Sequence, residues 1–147
     1  MTESNTMEPT RPRILVIDDE EYVRAALRGI LEHAGYGVVE AEDGEQGIGL
    51  IETDSMSMVI TDIFMPVKDG IETIIELRRE HPHVKIIAIS GGGPLNMPGF
   101  LAEAAHLGAD KTLTKPFSAK ELLSTVKDVL KTGAPSPSGL SALAAAL

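Results

Sequence analysis

Four short strand-like runs each stop at a side chain suited to phosphoryl chemistry, and this repeated ending limits the possible folds more than any other feature of the chain. Ile14-Leu15-Val16-Ile17 runs into Asp18-Asp19, Val59-Ile60-Thr61 into Asp62, Ile86-Ile87-Ala88-Ile89 into Ser90, and Thr112-Leu113-Thr114 into Lys115. Runs this short and this continuously apolar suit strands buried on both faces, as in parallel sheets covered by helices. The carboxyl ends of parallel strands lie along one edge, so residues far apart in sequence meet there in one acidic pocket with a single lysine.

Five strand candidates, Arg13-Asp18, Gly37-Ala41, Met58-Asp62, Lys85-Ser90 and Lys111-Thr114, alternate with five helical patterns. This alternation predicts an α/β domain with a doubly wound, five-stranded parallel sheet and five helices. Val23, Leu27, Ile30 and Leu31 form one helical stripe, Ile71, Ile74 and Ile75 a second, and Leu122, Val126, Val129 and Leu130 a third. Capping-box patterns mark three helix starts: Asp43 with Gln46, Asp69 with Glu72, and Ser118 with Glu121. Gly44, Gly47 and Gly49 crowd the second helix, where each interior glycine costs about 1 kcal/mol relative to alanine, which predicts a weak and mobile segment.

A chain of 147 residues, 43% hydrophobic, supports one packed core. The expected organisation is a disordered segment 1–12, a domain over 13–131, and a Pro/Ser/Ala-rich tail over 132–147 with no output domain. That tail is expected to be disordered, since the eight residues that carry Leu140, Leu143 and Leu147 at helical spacing are too few for a stable isolated helix; with the last helix they could support a dimer but require none, so a monomer or weak homodimer is expected. Net charge −9, from 22 acidic and 13 basic residues, repels polyphosphate and argues against direct nucleic-acid binding. The absence of cysteine excludes disulfides. Met1 to Pro12 are polar and lack the apolar stretch of a signal peptide, and no run approaches the ~20 apolar residues of a membrane span, so a cytoplasmic protein without membrane contact is expected.

Three carboxylates at one solvated edge repel one another, and a divalent cation relieves that repulsion. Mg2+ takes hard oxygen donors and one or two protein carboxylates, which points to Asp19 and Asp62 as direct ligands and Asp18 as a ligand through water. Asp62, at the end of the central strand, is the candidate nucleophile for an acyl phosphate, with Lys115 as the ammonium and Ser90 as the hydroxyl facing the phosphoryl oxygens. Gly91, Gly92 and Gly93 next to Ser90 leave room for a donor to approach. Read alone, Asp18-Asp19 is equally an N-cap pair, Lys115 a surface lysine and Ser90 a strand-end cap. Asp69 needs no role beyond capping. The four histidines show no metal-ligand spacing, so a phosphohistidine is expected from a partner.

Taken together, Val16-Ile17-Asp18-Asp19-Glu20, Thr61-Asp62-Ile63-Phe64-Met65-Pro66, Asp69-Gly70, Ile89-Ser90, Gly108-Ala109-Asp110 and Thr114-Lys115-Pro116-Phe117 make the stretch from Arg13 to Lys131 resemble the receiver domain of two-component response regulators, in its stand-alone form. The resemblance implies a flavodoxin-like fold and phosphorylation of Asp62 by a phosphohistidine on a sensor histidine kinase or histidine phosphotransfer protein. It implies Mg2+ held by Asp19, Asp62 and the main-chain carbonyl of Phe64, with Asp18 in the outer shell, and a cis bond before Pro116. It further implies that Ser90 moves toward the phosphoryl group and remodels the surface of the fourth helix, fifth strand and fifth helix, which a downstream protein target reads. No catalytic turnover of a substrate is expected beyond phosphoryl transfer to Asp62 and its loss.

Thr112 departs from the pattern, because receivers usually carry Tyr or Phe three residues before the lysine. Ser90 is then expected to couple through the Gly91–Gly93 loop and helix residues such as Phe100, a route suggested by the glycines and by the nearby Pro94 and Pro98. Two other functions stay open. One is a receiver-shaped interaction module that works without phosphorylation. The other is a Mg2+-dependent phosphohydrolase with an aspartyl nucleophile, which normally shows Asp-x-Asp at the first strand, whereas the acids here are adjacent.

Overall fold

The computed structural model describes residues 11–63, 69–90 and 104–131. The segment 1–10, Phe64, Met65, the Gly91–Gly93 loop with Pro94, Pro98 and Phe100, and the 132–147 tail lie outside the described residues. The strands are β1 (Arg13–Ile17), β2 (Gly37–Ala41), β3 (Met58–Asp62), β4 (Lys85–Ser90) and β5 (Lys111–Thr114). Between and after them lie α1 (Glu21–His33), α2 (Gly44–Thr53), α3 (Gly70–Glu80), a helical segment α4 over 104–107, and α5 (Ala119–Lys131). All strand pairs are parallel, in the order β2-β1-β3-β4-β5, which is the doubly wound arrangement expected.

Side chains alternate across the sheet, and each face has its own core. Leu15, Ile17, Val59, Ile86 and Ala88 pack with Ile48 and Ile51 of α2, Ile74 and Leu77 of α3, and Ala104 of α4. Ile14, Val16, Met58, Ile60, Ile87 and Ile89 pack with Leu27 and Leu31 of α1 and Leu122, Val126 and Val129 of α5. A strand buried on both faces has no polar positions to spare, which is why β1, β3 and β4 read as unbroken apolar runs. Strand order reverses about β1, whose two neighbours are β2 and β3, and the crevice beyond the carboxyl ends of β1 and β3 is where such sheets bind ligands.

Several local expectations need correction. Ile74 is buried and Ile71 packs against the core as expected, but Ile75 is 42% exposed, because the buried stripe of α3 runs through Gly70, Thr73, Ile74 and Leu77. The Asp43 box closes differently: Asp43 Oδ1 accepts from Gln46 N at 2.8 Å, but the Gln46 amide oxygen reaches one residue further back, to Glu42 N at 2.6 Å. The boxes at Asp69 and Ser118 are reciprocal as expected. In α2, Gly47 lies so close to β1 that a Cβ there would fall 3.0 Å from Ile17 Cγ1, so this glycine is where the helix approaches the sheet. Among the described residues, no helix is long and apolar enough to cross a membrane.

Candidate functional site

Asp18 is the first residue beyond β1. Its amide still donates to Ala41 O at 3.2 Å, continuing the ladder with β2. Its carboxylate Oδ1 accepts from Glu20 N at 2.9 Å, which turns the chain out of the sheet and ends the strand one residue earlier than expected. This decides against the capping reading of the acidic pair: the N-cap of α1 is Glu20, with no side-chain cap bond. Asp18 is buried and Asp19 exposed, at the inner and outer side of the turn that follows β1.

Asp62 is the last residue of β3 and only 7% exposed. The next residue is anchored to β4 by Ile63 N donating to Ile89 O at 2.9 Å. Gly70, the first residue of α3, then closes on this backbone: its amide donates to Ile63 O at 2.9 Å, and a Cβ there would run into the Asp62 carbonyl and come within 2.7 Å of Ile63 Cα. Only glycine permits that approach, and this explains the Asp69-Gly70 pair better than capping alone. Ser90 ends β4 fully buried, one residue beyond Ile89, the register partner of Asp62. Its carbonyl accepts from Lys115 N at 2.8 Å, which pins the start of the β5–α5 connection. The Lys115–Pro116 bond there is cis.

These strand ends bring one cation among several anions. Lys115 Nζ lies 3.3 Å from Asp62 Oδ2 and 3.5 Å from Asp18 Oδ2. Both distances exceed the 2.7–2.9 Å or so of a tight charge-assisted bond, so the ammonium bridges the two acids without closing on either. Oxygens of Asp18, Asp19 and Asp62 all lie within 4.8 Å of one another. Burial pushes the Asp18 carboxyl up from 3.8 to about 6, the Glu20 amide and Lys115 draw it down, and Asp62 beside it adds to the rise. Burial alone would lower the Lys115 ammonium, but Asp62 and Asp18 more than offset this, and its net shift is upward.

Three carboxylates facing one ammonium leave two formal negative charges to be balanced at this edge. The donors are hard oxygens, two of them on buried residues, which fits Mg2+ or a similar oxygen-seeking cation rather than a softer metal. Among the described residues, one other group has comparable spacing: Glu52, Glu80 and His81, where the carboxyl ends of α2 and α3 meet. It was not legible in the sequence because it joins two helices, and it lies where helices end, at the edge of the sheet opposite Asp62.

Asp18, Asp19, Asp62 and Lys115 are thus brought together, and Ser90 lies on the same edge. Phe64 lies outside the described residues. Thr112 is half-buried in β5 opposite Ala88. Sequence reading missed Arg24, which is 9% exposed and donates from Nη1 to the Asp18 carbonyl at 2.7 Å. An arginine on a helix carries no local signal of such a contact.

The family model described as the response regulator receiver domain matches residues 14–127. The chain is 34% identical over 119 residues to the transcriptional regulatory protein CpxR of Escherichia coli K12, covering 81% of this chain and 49% of that protein. It is 35% identical over 119 residues to the alkaline phosphatase synthesis transcriptional regulatory protein PhoP of Bacillus subtilis, covering 81% and 48%. The chain therefore spans about half the length of these curated relatives. Among solved structures, the CheY-like response regulator receiver domain protein from Methanospirillum hungatei superposes with a TM-score of 0.77 at 28% identity, over 84% of this chain and 96% of that one. Sheet order, acidic strand ends and these matches agree, and the chain belongs to the response regulator receiver family, whose members are signalling domains.

Proposed function

We propose that this chain is a phosphoacceptor receiver in a two-component or phosphorelay system and that Asp62 takes the phosphoryl group from a phosphohistidine on a partner protein. The observation that carries this reading is the Lys115 ammonium held between Asp62 and Asp18, at 3.3 and 3.5 Å. In the proposed step an Asp62 carboxylate oxygen attacks phosphorus, the P–N bond to the partner imidazole breaks, and the imidazole leaves with its electron pair and takes up a proton. Lys115 is near enough to follow the equatorial phosphoryl oxygens as charge develops on them. Ser90 supplies a hydroxyl from the adjacent strand.

Asp19, Asp62 and the Phe64 carbonyl would hold Mg2+, with Asp18 behind a water, and the ion supplies charge neutralisation for the incoming phosphoryl group. Partners under this reading are a sensor histidine kinase or phosphotransfer protein on one side and a protein target on the other. Treatment with acetyl phosphate and Mg2+ tests it, followed by a Phos-tag gel or intact mass. The wild type gains one phosphoryl group and Asp62→Asn none. An unmodified wild type sinks the reading. Thr112, in place of the usual aromatic residue, favours a second reading in which the domain binds its partner without phosphorylation. That reading predicts partner binding unchanged in Asp62→Asn, whereas phosphorelay predicts loss of the phosphate-dependent fraction.

A further inference from the structure

Asp18 is held on both sides of its Cα: Asp18 N, in the peptide from Ile17, donates to Ala41 O at 3.2 Å, and the Asp18 carbonyl, in the peptide to Asp19, accepts from Arg24 Nη1 at 2.7 Å. The same guanidinium donates from Nε to Glu40 Oε1 at 3.0 Å, and Glu40 is part of β2, opposite Val16. Arg24 therefore spans from a β2 carboxylate to the carbonyl of the first acidic residue. The Asp18 carbonyl carbon bonds directly to Asp19 N, so the orientation of that peptide sets the direction in which the Asp19 side chain leaves the backbone.

Asp19 is exposed, and no described side-chain hydrogen bond holds its carboxylate. Its aim toward the pocket rests on its backbone. Arg24 is well suited to set that backbone: it is 9% exposed and planar, and a fork with two donors in fixed geometry constrains a carbonyl more tightly than a single ammonium could. Arg28 is the natural comparison. It donates to the other oxygen of Glu40 at 2.7 Å and to Val38 O at 2.7 Å, so it shares the network but has no described bond to Asp18.

We propose that Arg24 is a positioning residue for the cation site, fixing the Asp18–Asp19 peptide so that Asp19 and Asp62 present their oxygens to one ion; this rests on the cation role proposed for the acidic cluster above. Partners behind the ligands of metal sites typically change affinity by about 10- to 100-fold when removed. Simple electrostatics has the opposite sign, since loss of a nearby positive charge attracts a divalent cation more strongly. The two effects are therefore separable.

The test is Mg2+ affinity of the full chain by isothermal titration calorimetry, with thermal unfolding in chelator as the measure of stability. Arg24→Gln is expected to weaken Mg2+ binding about tenfold. Arg24→Lys keeps the charge but cannot span both acceptors; it is expected to show a smaller loss, and it carries the test should Arg24→Gln not fold. Arg28→Gln is expected to lower stability yet leave Mg2+ affinity unchanged. Arg24 variants that bind Mg2+ as tightly as wild type overturn the proposal, and so does an equal loss in Arg28→Gln. A wild type that binds no Mg2+ overturns the cation site itself, a result distinct from either.

Discussion

Burial and the Asp62 carboxylate together hold the Asp18 carboxyl near 6, against 3.8 for an ordinary aspartate. An acid whose folded value is raised adds stability that is full below the unfolded value and is lost as pH rises through the folded one. With chelator present, the Tm of wild type should therefore fall relative to Asp18→Asn as pH rises from about 4 to 7, and Mg2+ should flatten that difference. At pH 7 Asp18→Asn is expected to stabilise the cation-free protein by about 1 kcal/mol, because it removes a charge from a crowded site while keeping the oxygen that accepts from Glu20 N. Thermal scans of both proteins across pH check this, and a Tm difference that does not vary with pH would rule out Asp18 as the titrating group.

At the scale of elements, Gly47 and Gly49 lie in the same helix but face different surroundings. Nothing lies within 4 Å of a Cβ built on Gly49, whereas one on Gly47 meets the buried Ile17 side chain. Gly49→Ala should raise stability by about 0.5–1 kcal/mol through helix propensity, while Gly47→Ala should lower it through overpacking costing about 1–3 kcal/mol. Urea unfolding of the two variants separates propensity from packing.

A second contrast is on α3. Arg78 donates to Gly108 O at 2.7 Å, Val84 O at 2.7 Å and Pro82 O at 3.0 Å, and pairs with Asp110 at 2.6 Å. Asp110 Oδ2 also accepts from Ile86 N at 2.8 Å, so this network ties α3 to β4 and to the turn before β5. Arg78→Gln should cost about 2–4 kcal/mol, since it strands a mostly buried carboxylate. Arg79, paired with Glu80 at 3.6 Å and well exposed, should cost less than about 0.5 kcal/mol when changed to Gln. Equal losses from the two variants would show that Arg78 acts only as a surface charge.

For the whole molecule, net charge −9 makes the compact state repel itself, and part of that charge is concentrated at the functional edge. Raising NaCl from about 0.01 to 0.15 M should increase Tm by general screening. Mg2+ at constant ionic strength should add a separate increment by binding only the folded state, about 2.7 kcal/mol at 100 times its Kd. Asp19→Asn should keep the response to NaCl and lose most of the response to Mg2+. If both responses persist undiminished, Mg2+ acts as a screening ion and not at this cluster.

Residue order alone was enough to read the class of fold and the members of the acidic edge. Apolar runs bounded by helical periodicity predict a parallel sheet, and such sheets bring their carboxyl ends together whatever the details of packing. That is why Asp18, Asp19, Asp62 and Lys115 could be named from one dimension. The remainder emerged only from packing: that Glu20 and not the acidic pair caps α1, that Gly70 closes on the Asp62 backbone, that Ile75 faces out, and that Arg24, Arg78 and Asp110 are structural anchors. Each of these depends on where side chains from separate elements end in space. A periodicity of 2 or 3.6 specifies which face a residue is on, but the distance across which two faces meet is set only when the elements pack.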